Sequence, residues 1–97
     1  MAKKLKLRCG DVVRVEWDDA VTFSRVEADP SDVPLPRFET WASVGHIEPK
    51  KLVLIHEREM TEPMGGSKKK TIEPTGLPMG MVTKICVYRL IGEAELP

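Results

Sequence analysis

The chain has little cysteine, no long apolar run and no net charge, and each shortage closes off a class of protein. Its two cysteines, Cys9 and Cys86, are too few for a disulfide-dense secreted scaffold, and neither stands in a C-x-x-C motif. Both read as free thiols, with a bridge between the first and last strands left geometrically open. Nothing approaches the roughly 20 consecutive apolar residues of a membrane span, and no long apolar stretch follows the basic start. A soluble, cytoplasmic protein is the expectation. Lys and Arg number 15 against 15 Asp and Glu, so no overall field favours nucleic acid or a membrane surface. No G-x-S-x-G, P-loop or dinucleotide fingerprint occurs, so the chain is not expected to be an enzyme and calls for no cofactor or metal.

At 97 residues there is room for one core and no second. The whole chain is therefore read as a single domain, with a core over 10–91, a long acidic loop over 20–37, a Gly/Lys loop over 61–70 and a polar tail over 92–97.

What is present is the pattern of a small all-β domain. Val13, Val15 and Trp17 alternate with Arg14, Glu16 and Asp18, the period-two signature of a half-buried strand over 12–19. A second strand over 38–47 sets Trp41, Ser43 and Ile47 on one side and Ala42, Val44 and His46 on the other. Gly45 inside it marks a sharp bend. The turn Glu48-Pro49-Lys50-Lys51 leads into a third strand, Leu52–Glu57, apolar on both faces as in a central strand. Thr71–Glu73 reads as a short fourth strand, and Pro78-Met79-Gly80 turns into a fifth over Met81–Ile91. A helix over that last stretch would gather Val82, Ile85 and Arg89, but its β-branched and aromatic content favours strand.

Two segments interrupt this pattern. Between Glu16 and Glu39 stand seven acids against Arg25 and Arg37, and Pro30, Pro34 and Pro36 deny amide donors to a sheet. The run from Pro30 to Pro36 favours an extended, polyproline-like path. A loop this long is uncommon in a compact domain and is often functional. Phe23, Phe38 and Trp41, in or beside it, suit an interface or cap the barrel. The second interruption is Gly65-Gly66-Ser67-Lys68-Lys69-Lys70, whose amides and ammonium groups suit phosphate.

The order of elements resembles the SH3-like and Sm-like small barrels: five strands, strongly bent and antiparallel, with a long loop between the first and second. More closely, the blocks Gly10–Asp19, Ser43–Ile47, Leu52–Ile55 and Pro78–Ile85 look like those of a family of small proteins common in tailed phages and prophages. That resemblance implies a fold and a phage origin. It brings no catalytic residues.

A metal or hydrolytic site would have to draw on Asp18, Asp19, His46, His56 and Glu57, which lack a short ligand-pair spacing. The expectation is instead a non-catalytic binding protein, self-associating through an open barrel edge. Lys68, Lys69, Lys70, Arg8 and His46 are its candidates for holding nucleic acid or a small phosphorylated ligand, for example as a counter-defence nucleotide sponge in a host bacterium. The alternative is a protein-interaction module, with Phe23, Asp29, Asp32, Phe38 and Trp41 presented to a host protein by the acidic loop.

Overall fold

A computed structural model describes residues 4–20, 27, 29–60 and 71–97. Phe23 and the Gly/Lys loop over 61–70, with Lys68, Lys69 and Lys70, lie outside the described residues. The described chain forms β1 (Val12–Asp18), β2 (Arg37–Ile47), β3 (Lys51–Arg58), β4 (Ile72–Pro78) and β5 (Val82–Tyr88), with single-turn 3-10 helices at Pro30–Asp32 and Met79–Met81. All five strands belong to one antiparallel sheet in the order β4-β3-β2-β1-β5. No helix among the described residues is long and apolar enough to cross a membrane.

One face of the sheet makes the core. Val13 and Val15 of β1, Ala42 and Val44 of β2, Leu52 and Leu54 of β3 and Leu77 of β4 are buried together. Trp17, Ile47, Val82, Ile85 and Val87 pack around them, as do Leu7 and Met79 from outside the strands. The inward alternation expected for β1 is therefore the one observed.

A flat sheet could not bury this face, and the connection from β4 to β5 forces a curl. Three residues separate Pro78 from Val82. That link spans at most about 14 Å, whereas the outermost strands of a flat five-stranded sheet stand about 19 Å apart. Met79 N–H donates to Lys50 O at 2.8 Å, tying the connection to the β2–β3 turn. Three bulges supply bending, with Gly45, His56 and Thr83 as the extra residues.

The bulge at Gly45 corrects the sequence reading of β2. Val44 faces Leu54 and His46 faces Val53, so the extra residue reverses the alternation. Ile47 turns to the core, and His46 turns outward, the opposite of a straight count. Gly45 is needed for space: a Cβ there would stand 2.6 Å from Cδ1 of Ile55. Ile55 covers the outer side of the bulge and is only 8% exposed, which explains why β3 is apolar on both faces.

Two further boundaries differ from expectation. β4 runs past the expected end at Glu73 through Pro74 to Pro78, because an edge strand has one side on which no amide donor is needed. β5 stops at Tyr88, leaving Arg89 to Ile91 outside the sheet. Cys9 and Cys86 are free thiols.

Loop ends are held by specific bonds. Asp19 N–H donates to Pro36 O at 2.9 Å, closing the base of the acidic loop. Within it, Pro30–Asp32 winds into a 3-10 turn where an extended path was expected. Asp29 caps this turn by accepting from the backbone N–H and hydroxyl of Ser31 at 2.9 and 2.7 Å. Before β1, Asp11 N–H donates to Arg8 O across a turn whose third residue, Gly10, has φ +92°. That region of backbone suits glycine, as in a type II turn.

Candidate binding face

The outward face of β1, β2 and β5 carries what the core excludes. Across it, Arg14 stands between Trp41 of β2 and Cys86 of β5, while Val12 stands between Ser43 and Tyr88. Arg14 is the hub. Its Nη1 lies 3.1 Å from Glu39 Oε1 and 3.7 Å from Glu16 Oε2, and its Nη2 donates to Cys86 Sγ at 3.3 Å. The guanidinium carbon stands 6.0 Å from the centre of the Trp41 ring. The hydrogen bond to Glu39, followed by those to Cys86 and Tyr88, pushes the Arg14 pKa further up, so the cation is fixed.

Beside this hub, the Trp41 and Tyr88 rings meet at 5.1 Å with 35° between their planes. They remain 54% and 44% exposed, and Val12 next to them is 49% exposed. A tryptophan and a tyrosine half exposed and tilted against each other, beside an arginine held by two carboxylates, form an open aromatic platform on the sheet. Further along the strands the face turns ionic: Lys84 Nζ lies 3.9 Å from Glu16, and Arg37 Nε donates to Asp18 at 2.9 Å.

Of the residues singled out from the sequence, only Trp41 sits on this platform. Phe38, three residues earlier on β2, points to the other face, where it stacks on Trp17 at 4.9 Å. Phe38 and Trp41 therefore do not share a patch. Arg8 is exposed in the turn that grips Val44, where Gly10 N–H donates to Val44 O at 2.8 Å. His46, two residues beyond Val44, points outward and pairs with Glu48 at 3.2 Å. Asp29 is occupied in its cap, and Ser31 holds its carboxyl below the ordinary range. Asp32 is exposed in the same turn.

Lys68, Lys69 and Lys70 lie outside the described residues. A cleft of about 560 Å³ between the end of β3 and the start of β4 is lined by Glu57, Glu59 and Glu73 with Arg58.

The residues that a metal site would have needed are spread out. His56 bonds Thr75 Oγ1 at 2.7 Å, His46 bonds Glu48, and Asp18 bonds Arg37. Among the described residues no three His, Cys, Asp or Glu side chains gather as a metal-holding group.

Sequence reasoning missed Arg14, Tyr88, Glu39 and Cys86 as a group. Alternation already places Arg14 outward, but its neighbours come from strands 25 and 72 residues away. Comparison with protein-family models, curated proteins and solved structures finds no match to this chain.

Proposed function

We propose that this chain is a non-catalytic binding protein on an SH3-like partial barrel, whose outward face takes a nucleobase-bearing, phosphorylated ligand: a nucleotide or a stretch of single-stranded nucleic acid. The observation that carries this reading is the exposed Trp41–Tyr88 pair beside Arg14. Every base has a face that stacks on such rings, and one stacked base contributes about 1–3 kcal/mol. Glu39 and Glu16 already neutralise Arg14, so it positions Trp41 and leaves phosphate to other cations. Lys4, Lys6 and Arg8, exposed just before β1, supply them, and Arg89 follows Tyr88 directly. The curl of the sheet and the 3-10 link between β4 and β5 support the barrel. A phage or prophage origin and a site of action in the bacterial cytoplasm, where the protein would sequester a nucleotide signal, belong to the same proposal.

The test is fluorescence anisotropy with labelled oligothymidylate and oligouridylate, and calorimetry with mononucleotides and dinucleotides. Trp41→Ala is expected to weaken binding about 5- to 150-fold, which is one stacked base converted to affinity. Arg8→Ala should flatten the salt dependence. Undiminished affinity in Trp41→Ala would overturn the reading. A second reading rests on Val33 and Leu35, 43% and 59% exposed beside the Asp29-capped turn. They suit a basic, apolar protein surface, and binding lost on changing Asp29, Asp32 and Leu35 but not Trp41 would favour it.

A further inference from the structure

The two edges of the sheet are not equivalent. β4 carries Pro74 and Pro78, which interrupt the row of donors along its free side, a common guard against strand pairing. β5 carries no proline, and among the described residues its one partner strand is β1. Val44 N–H donates to Asp11 O, so the odd residues of β1 bond towards β2 and the even ones towards β5. Through the register, Lys84, Cys86 and Tyr88 spend their backbone groups on β1, and Ile85 and Val87 turn theirs to the open side.

The chain beyond β5 also lacks cover. Arg89 reaches Asp11 at 3.4 Å and so continues the line of β5 along β1. Leu90 and Ile91 follow at 83% and 103% exposure.

We propose that the open edge of β5, extended through Ile91, pairs antiparallel with the same edge of a second copy about a two-fold axis at Tyr88. Symmetry and the alternation of bonding groups place the axis on a residue of this edge, and the apolar pairing of Leu90 and Ile91 places it at Tyr88. It sets Tyr88 opposite Tyr88, Val87 opposite Arg89, Cys86 opposite Leu90 and Ile85 opposite Ile91. The odd residues make the ladder bonds, as the free edge requires. Both exposed aliphatic side chains gain an apolar neighbour, and no two lysines face each other. The two Trp41–Tyr88 platforms then meet across the axis as one band of four rings. The pairing does not depend on the ligand reading.

Sedimentation and light scattering of the full chain test it, with disulfide trapping in a Cys9→Ser, Cys86→Ser background. Opposed Tyr88 residues stand about 4.5–5.5 Å apart between Cα atoms, within disulfide reach. The two Val87 residues, offset by two positions, stand roughly 8–9 Å apart and lie beyond it. The expected results are twice the chain mass, a monomer on Leu90→Asp with Ile91→Asp, and trapping by Tyr88→Cys but not Val87→Cys. Chain mass at the highest soluble concentration, or equal trapping by the two cysteines, would overturn the proposal. The exposed Leu90 and Ile91 make unfolding of the double variant unexpected, and circular dichroism checks it. A monomer that still binds oligonucleotide would overturn the pairing alone, and a dimer that binds none would overturn the ligand reading alone.

Discussion

The two faces of β1 differ by one residue in sequence and by everything in chemistry. Val13 and Val15 are wholly buried among aliphatic neighbours with no polar side chain buried beside them. Arg14 and Glu16, interleaved with them, are each one-quarter exposed and joined in a network of charges, sulfur and rings. One strand thus separates the two tasks of the molecule. The inner face supplies cohesion through contacts that tolerate no polarity, and the outer face carries the groups that the proposed binding would use and that the inner face could not accept. Because both faces share a backbone, the outer groups inherit the rigidity of the core.

This division can be broken at several points. The largest effect is expected from Leu54→Ala on the inner face, a loss of about 2–5 kcal/mol in unfolding free energy. Thermal melts should show it, while ligand affinity per folded molecule holds; a parallel loss of affinity would mean the faces are not separable. Gly45→Ala should cost about 1–3 kcal/mol through the clash with Ile55, and adding Ile55→Val should recover part of it. Additive losses in that pair would show that Ile55 is not the obstruction.

On the outer face, Trp41→Ala removes a ring contact worth about 0.5–1.5 kcal/mol to stability. Its main consequence should be the loss of affinity given above, the reverse of the Leu54 pattern. The smallest effect concerns pH. The Arg8 backbone N–H, and secondarily Arg89, hold the Asp11 carboxyl below its ordinary value. A depressed folded value means that the stabilisation is complete above the unfolded value of about 3.9 and fades as pH falls through the folded one. Asp11→Asn should therefore flatten the acid limb of stability below about pH 4 and leave neutral stability less favourable than in the parent. An unchanged acid limb would remove this role.

Much of the scaffold was legible because a half-buried strand writes its two faces alternately. The inward Val13, Val15 and Trp17 and the β2–β3 hairpin through Pro49-Lys50 follow from that rule alone. β4 was not legible at full length, since proline is acceptable only once a strand is known to be an edge, and edge position is a property of the whole sheet. The candidate site was harder still. Trp41 drew notice as an aromatic near the acidic loop, beside Phe38, but proximity along a strand says little when successive residues point apart. Its true neighbours, Arg14 and Tyr88, become adjacent only through the register of three strands.

The bulges at Gly45, His56 and Thr83 have one consequence for how such a chain can change. Each acts as a phase marker: downstream of it, the same letter of a repeating pattern means the opposite side. Deleting Gly45 would leave His46 outward and Ile47 inward, since Val44, His46 and Ile47 already face successive residues of β3, whereas deleting a paired residue upstream would turn the strand over. Insertions and deletions at paired positions of this sheet are thus sign changes, and a bulge is the place where one extra residue can be taken up or lost with the core kept in step.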